Sequence, residues 1–243
     1  MHAAAANWTT PSGSDRGTRF SELTQITPAN VATQDKVIVG NAGGEFGIRG
    51  WVQALNVNTG KPLWKAYGTG PDADVLIGRT FHPFYAKDRG TDLGATTWPG
   101  SMWRQGGSTS WAWFTYDPDL NLLYYGTANP GVWNPDMRPG DNEWGSMIFA
   151  RNPDTGEAVW AYQITPHDGW DYDSVNESIV TTPDIAGVSR KVVIHSRQER
   201  LRLYPGCRHR RGRRRRQVRP CDLGRSRRPH HRRPRRQGRL PAA

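Results

Sequence analysis

An eleven-residue pattern occurs twice in this chain. Ala54-Leu-Asn-Val-Asn-Thr-Gly60-Lys-Pro-Leu-Trp64 and Ala150-Arg-Asn-Pro-Asp-Thr-Gly156-Glu-Ala-Val-Trp160 both read A-x-N-x-x-T-G-x-x-x-W. In each copy a β-rich run ends in an Asn/Asp-Thr-Gly turn, where Gly supplies a positive φ, and a second strand begins. The Trp then stands at one fixed place per unit. Two unrelated hairpins could share a turn, but not Ala, Asn, Thr, Gly and Trp at identical spacing. Radially repeated four-stranded units are the blades of a propeller.

The rest of the body agrees with an all-β fold. Short strand-like runs recur at Lys36-Val-Ile-Val-Gly40, Asn121-Leu-Leu-Tyr-Tyr-Gly126, Ser146-Met-Ile-Phe-Ala150, Val159-Trp-Ala-Tyr-Gln163 and Lys191-Val-Val-Ile-His195. Gly, Pro, Asn and Asp clusters separate them, and no helical period is sustained. The two repeats lie 96 residues apart, more than a plain blade needs. The interval 65–120 must therefore contain an elaborate loop, for which residues 71–107 are suited, and such loops are where a scaffold carries function.

Charge divides the chain. Residues 198–243 hold 18 of its 33 basic residues, all Arg, and two of its 22 acids, Glu199 and Asp222, so that segment is +16 and the remainder −5. The body is thus a mildly acidic, Trp-rich globular sequence. The sequence divides into a poorly defined stretch 1–23, a propeller segment 24–197 and an Arg-rich tail 198–243 expected to be disordered. No apolar run approaches the ~20 residues of a membrane span, and MHAAAANW lacks the basic and apolar regions of a signal peptide. Cys207 and Cys221 both lie in the tail and give no guide to the redox compartment of the body.

Six motifs fall in one order along the body: Gly40-Asn-Ala-Gly-Gly-Glu45-Phe-Gly-Ile-Arg-Gly50, Thr97-Trp-Pro-Gly100, Gly106-Gly-Ser-Thr-Ser-Trp111-Ala-Trp, Tyr125-Gly-Thr-Ala-Asn129-Pro-Gly-Val-Trp-Asn, Arg138-Pro-Gly-Asp-Asn and Pro166-His-Asp-Gly-Trp-Asp171-Tyr-Asp173. In content, order and spacing they resemble the PQQ-dependent (quinoprotein) alcohol dehydrogenases, a family of periplasmic eight-bladed β-propellers. The resemblance covers about residues 24–197 and implies a partial propeller of two to three blades. It implies that Glu45 and Asn129 ligate the active-site cation and that Asp171 is the catalytic base and a further metal ligand. It likewise implies that Trp111 is the indole stacked on the quinone. Thr109, Gly43 and Gly44, with Thr27 less securely aligned, contact the cofactor's polar edge beside Glu45.

The chemistry suits these residue types. PQQ is a flat tricarboxylate o-quinone that needs an aromatic platform, polar donors and close backbone approach. A hard cation takes oxygen ligands and polarises the quinone C5 carbonyl, which accepts hydride from the alcohol carbon. Asp173 stands where calcium-dependent members carry a small residue, whereas lanthanide-type members carry Asp. A second carboxylate favours a larger trivalent ion, so a lanthanide is expected ahead of Ca²⁺; the bland reading is an Asp that merely faces solvent. Asp168 and His167 are read as residues that fix the loop presenting Asp171, and Trp64 and Trp160 as staples between blades. His82 and His195 have no partner spacing for zinc. Ala42 replaces the usual Ser and removes one hydroxyl from the cofactor's contacts.

The resemblance implies oxidation of methanol or a short primary alcohol, with electrons passed to cytochrome c; a dimeric parent enzyme is among the expectations. With so few blades the chain is expected to fold poorly and to be inactive alone. Rival readings are a non-catalytic propeller scaffold, a sugar quinoprotein, and a nucleic-acid binder acting through the tail. The tail has no Lys and no aromatic after Tyr204, so nucleic acid is not an expected partner. A shifted reading frame explains the tail better. Codons legal for Gln198 through Arg211, moved by one base, read Arg-Asn-Gly-Phe-Ala-Phe-Thr-Arg-Asp-Ala-Ala-Thr-Gly, a strand followed by another Asp-x-x-Thr-Gly turn. In that frame the Arg that the family places near the quinone carbonyl falls at position 198, where this chain has Gln.

Overall fold

The repeated Asn organises its turn in the same way twice. Asn56 Oδ1 accepts hydrogen bonds from Asn58 N (3.1 Å) and Thr59 N (2.9 Å), and Gly60 N donates to Asn56 O (2.8 Å). Asn152 Oδ1 accepts from Asp154 N (2.8 Å) and Thr155 N (3.3 Å), with Gly156 N on Asn152 O (2.9 Å). Both closing glycines take positive φ, 67° at Gly60 and 77° at Gly156, the left-handed region where a Cβ costs energy. Even the register irregularity recurs, between Ala54 and Leu55 in one copy and Ala150 and Arg151 in the other.

These turns belong to stacked antiparallel sheets. The structure, a computed structural model, describes residues 35–196 and the backbone of 201–205. The first sheet joins β1 (Lys36–Gly40), β2 (Trp51–Asn56) and β3 (Pro62–Tyr67) in sequence order. Two four-residue helices follow, α1 (Asp72–Val75) and α2 (Leu93–Thr96), within the long loop that the repeat spacing requires. The second sheet is a four-stranded meander of β4 (Phe114–Asp117), β5 (Leu122–Gly126), β6 (Met147–Arg151) and β7 (Ala158–Gln163). The third pairs β8 (Ser178–Thr181), β11 (Val192–Ser196) and β12 (Leu201–Pro205), with the two-residue strands β9 (Asp184–Ile185) and β10 (Val188–Ser189) forming a small hairpin between β8 and β11. One complete blade is thus flanked by two three-stranded ones, a partial propeller of the expected size.

β12 lies beyond the boundary expected at residue 197. Its backbone pairs with β11 from Leu201 opposite Ser196 to Pro205 opposite Val192. The unpaired groups of an edge strand recruit any segment able to extend, and Leu201-Arg-Leu203 retains the two-residue alternation of a strand. The remaining expectations for 1–23 and the tail fall outside the described residues.

The middle blade is buried on both faces, so β5 and β6 are continuously apolar rather than alternating. Leu123, Tyr125, Met147 and Phe149 pack toward Val52, Ala54, Trp64 and Ala66 of the first sheet. Their neighbours Leu122, Tyr124, Ile148 and Ala150 pack with Trp160 and Tyr162 toward Val193 and Val180 of the third. Trp64 joins first and second blades directly: its indole N–H donates to the Pro153 carbonyl at 2.7 Å, and its ring lies where a Cβ on Gly156 would come within 2.6 Å. The buried Arg151 ties in the long loop, donating to Val75 O (2.8 Å), Gly156 O (2.6 Å) and Tyr125 Oη (2.9 Å).

Removing the indole tests this staple. Trp64→Phe keeps an aromatic ring but orphans the Pro153 carbonyl, at an expected cost of about 1–3 kcal/mol; Trp64→Ala adds a cavity and costs about 3–5 kcal/mol, both read from urea denaturation. A second prediction concerns the contact between the long loop and the stretch after Arg138. Burial, then repulsion from the fully buried Asp88, lifts the Glu143 carboxyl from 4.5 to about 8, opposed by Lys87, whose Nζ lies 3.0 Å from Asp88. The folded protein therefore binds more protons than the unfolded chain between about pH 4.5 and 8. On this account stability is greatest below that window and declines as pH rises through it. Glu143→Gln, which stays neutral, should flatten that slope in denaturation midpoints measured across the range.

Candidate functional site

Four segments meet along one rim of the stacked sheets because their backbones hydrogen-bond side by side. Gly107 N donates to Ile48 O (3.2 Å) and Gly50 N to Gly107 O (2.6 Å). Ser108 N donates to Asn129 O (3.0 Å), Ala128 N to Thr109 O (2.7 Å) and Ser174 N to Thr127 O (3.2 Å). The approach is close enough to demand glycine: a Cβ on Gly50 or Gly68 would lie 2.0 or 2.3 Å from the Ser108 carbonyl oxygen. The Gly-Gly-Glu, Gly-Gly-Ser-Thr-Ser-Trp and Thr-Ala-Asn motifs thus converge through the main chain.

On that frame Gly43 has φ 89° and opens the 3-10 turn Gly44–Phe46, which leaves Glu45 exposed. A Cβ on Gly44 would sit 3.2 Å from Gly107 Cα and 3.6 Å from Thr109 Oγ1, so Gly44 and the buried Thr109 are neighbours. Trp111, just past this segment, is 51% exposed, against 3–8% for the repeat tryptophans Trp160 and Trp64. That contrast separates a tryptophan with an open indole from the staples. Trp133 and Trp170 are also exposed. Thr27 lies outside the described residues.

The Trp-Asp-Tyr-Asp loop is held by its own acid. Asp168, 1% exposed, accepts from Trp170 N (2.9 Å), Tyr172 N (3.1 Å) and Ser146 Oγ (2.7 Å). His167 Nδ1 lies 2.7 Å from Gly140 O. Asp168 and His167 therefore fix the loop, as their reading in the sequence required. Asp171 and Asp173 both take positive φ, 62° and 34°, and such backbone persists only where the surroundings determine it. Asp173 Oδ1 accepts from Asn129 N at 2.7 Å, joining the loop to the Asn129 segment. Burial raises the Asp173 carboxyl to about 6; the Asn129 N–H opposes that rise, while Asp171, Asp168 and Glu45 add repulsion. Glu45, Asp171 and Asp173 are thus within electrostatic range. Among the described residues, however, no three His, Cys, Asp or Glu side chains converge closely enough to enclose a metal ion. The donors that gather are all oxygens, which fits a hard cation rather than a thiophilic one.

Two arginines that the sequence reading quoted only within motifs prove to be supports. Arg138 is fully buried, and its guanidinium donates to Val132 O (2.5 Å), Asn142 Oδ1 (2.7 Å) and the Asp168 carbonyl. Burial pulls it below its ordinary value, with the Asp168 carboxylate opposing. Arg49 lies over Tyr67 (4.0 Å) and Trp103 (4.6 Å) and pairs with Asp74 at 2.7 Å, anchoring the Glu45 loop. Nothing in spacing distinguishes a buried Arg from a solvated one. A separate hollow lined by Asp72, Arg79, His82 and Asp88 contains none of the expected site residues. Among the described residues no helix is long and apolar enough to cross a membrane.

Comparison with known proteins agrees with this fold. Residues 31–200 match the family described as PQQ, glucose/ethanol/alcohol dehydrogenase, beta-propeller domain. The chain is 50% identical over 171 residues to a lanthanide-dependent methanol dehydrogenase of Methylacidiphilum fumariolicum, covering 70% of this chain and 28% of that protein. It is 47% identical over 174 residues to methanol dehydrogenase [cytochrome c] subunit 1 of Methylorubrum extorquens, covering 70% of this chain and 27% of that protein. A europium-containing methanol dehydrogenase superposes with a TM-score of 0.66 at 49% identity, over 69% of this chain and 29% of that one. The chain therefore spans under a third of the length of these relatives. With the Trp-bearing repeat, the stacked four-stranded blade and 170 matched residues in agreement, the chain belongs to the PQQ-dependent dehydrogenase family of β-propellers.

Proposed function

We propose that this chain is the cation- and quinone-holding sector of an enzyme that oxidises a primary alcohol, methanol or a short homologue, to the aldehyde. What supports the reading is that the Asn129 segment and the Asp171–Asp173 loop are joined by the 2.7 Å bond from Asn129 N to Asp173, with the Glu45 carboxylate within electrostatic range of Asp173. The Glu45, Asp171 and Asp173 carboxylates and the Asn129 side-chain carbonyl would hold the cation. Trp111 offers the aromatic platform, while Gly43, Gly44 and Thr109 meet the cofactor's polar edge. When bound, PQQ supplies a carbonyl, polarised by the cation, that takes up the hydride of the alcohol carbon. Asp171 accepts the hydroxyl proton on a carboxylate oxygen, presented by a loop that Asp168 and Arg138 hold in place.

Asp173 favours a lanthanide over Ca²⁺. Its carboxylate adds negative charge and coordination capacity, which a large trivalent ion uses better than a divalent one, and two of the relatives are named for lanthanide metals. Cytochrome c as electron acceptor, and with it a periplasmic setting, draws support from the name of the Methylorubrum relative.

Two measurements test these assignments. In a full-length enzyme carrying this sequence, Asp171→Asn should lower alcohol-dependent dye reduction by about 10²- to 10⁴-fold; a non-catalytic scaffold would be indifferent. Terbium luminescence sensitised by neighbouring tryptophans reports cation binding without turnover. There Asp173→Ala should weaken the trivalent ion on the order of tenfold more than it weakens Ca²⁺ in competition, and an equal loss for both ions would remove the argument for a lanthanide.

A further inference from the structure

The outer edges of the first two blades are closed in different ways. β3 ends the first sheet and β7 the second, and both follow the repeated turn. An edge strand presents unpaired N–H and C=O groups to any extended segment, and charge or proline along it discourages such pairing. β3 carries both devices: Pro62 opens the strand Pro62-Leu-Trp-Lys-Ala-Tyr67, and Lys65 stands exposed within it. Among the described residues no backbone hydrogen bond covers its outer side. β7, Ala158-Val-Trp-Ala-Tyr-Gln163, has neither charge nor proline, the composition of a strand that pairs with its like.

β7 is covered instead by the long loop. Ala158 N donates to Leu76 O (2.9 Å), while His82 N and Phe84 N donate to Val159 O (2.9 Å) and Ala161 O (3.1 Å). Ile77 lies parallel to Ala158, so residues 76–84 run alongside β7 as an added strand. Side chains clasp its far end. Phe84 meets the Tyr162 ring edge-on at 5.0 Å, and the Tyr85 hydroxyl donates to that of Tyr162 at 2.9 Å. Phe84 and Tyr85 are 40% and 39% exposed, and neither belongs to the core clusters. The clasp is therefore a surface feature that can open while the blade stays packed.

We propose that residues 76–85 form a releasable strap over a self-pairing edge: with the strap displaced, β7 takes as its partner the β7 strand of a second copy of this chain, antiparallel across a two-fold axis. The strand itself argues for that partner. A two-fold contact uses one surface twice, so any charge on the edge would oppose its own copy, and from Ala158 to Gln163 there is none. The strap's main-chain bonds show that the outer side of β7 accepts an extended segment, the mode in which a partner strand adds to a sheet. This inference rests on the blade architecture and not on alcohol oxidation, so it is measured without cofactor or substrate.

Sedimentation velocity of the full chain tests it. In one variant His82→Pro and Phe84→Pro remove the two N–H donors that cover Val159 O and Ala161 O. In another, Phe84→Gly and Tyr85→Ser remove the clasp but keep every N–H, so the test stands if the prolines disturb folding. Each should raise the dimer association constant on the order of tenfold over the unaltered chain. Adding Val159→Lys, at a half-buried position of β7, sets like charges together across the two-fold and should return association to its starting level. With the strap intact the same substitution should change nothing. Association that stays level in both loosened variants, or that rises but ignores Val159→Lys, overturns the proposal.

Discussion

The bond from the Trp64 indole to the Pro153 carbonyl, with the ring laid on Gly156, sets how one blade sits on the next. Each part of the contact comes from a constraint within the repeat. The turn must close on a residue with positive φ, which selects Gly156, and the missing Cβ is then the space that the Trp64 ring fills. The turn's Asn draws its own following N–H groups onto its side chain, leaving the Pro153 carbonyl free to face the neighbouring blade. One motif thereby performs two tasks, reversing the chain and docking the preceding sheet. Once the first sheet is docked, β5 and β6 are covered on both faces and are built of apolar and aromatic residues up to Arg151, whose guanidinium is satisfied by carbonyls and the Tyr125 hydroxyl.

The candidate site inherits its geometry from that stacking rather than from a dedicated scaffold. Its segments follow the sheet edges and touch through main-chain bonds, with glycines admitting the backbone at van der Waals contact. The acids on this rim have divided roles. Asp168 turns both oxygens to N–H and O–H donors within its own loop and neighbourhood, so it is committed to structure. Asp173 receives one backbone N–H and remains raised by burial and by the surrounding carboxylates. Negative charge that the protein's own donors do not neutralise defines a position that attracts a cation.

Much of this was legible from residues alone, for physical reasons. A turn that needs Gly and Asn at fixed places advertises itself, and strands buried on both faces show as unbroken apolar runs; β1 was bounded to the residue and β5, β6, β7 and β11 to within one. The candidate site residues came from the resemblance of their motifs to the family, and the structure brings the segments that carry Gly44, Thr109 and Asn129 side by side through main-chain bonds and close glycine approach. Arg138 and Arg49 were not identified as supports, since what makes them so is a set of carbonyls and rings brought near by the fold. The Asp88–Glu143 contact was equally hidden, its members lying 55 positions apart with no pattern linking them. β12 was missed because strand pairing depends on the open edge of β11 as much as on the pairing segment's own residues.

The staple is directional, and this bears on how far a part of the ring can act for the whole. Trp64 looks forward, onto the turn of the next blade, and that turn receives it from behind. Gly156 is covered by Trp64, whereas the site of a Cβ on Gly60 meets nothing within 4 Å among the described residues; Trp64 has its acceptor, and among the described residues Trp160 Nε1 has none. The middle blade is tied to the first by the Trp64 bond, and to the third by the bond from Thr115 Oγ1 to the Ser178 carbonyl (2.7 Å) and the Lys191–Asp117 ion pair (2.7 Å) as well as by apolar contact. The Asp171–Asp173 loop immediately precedes the third blade, whereas the Glu45 loop lies within the first, between β1 and β2. On the proposed reading one ion takes carboxylates from both loops, so its binding would depend on both junctions and be coupled to the stacking of the blades.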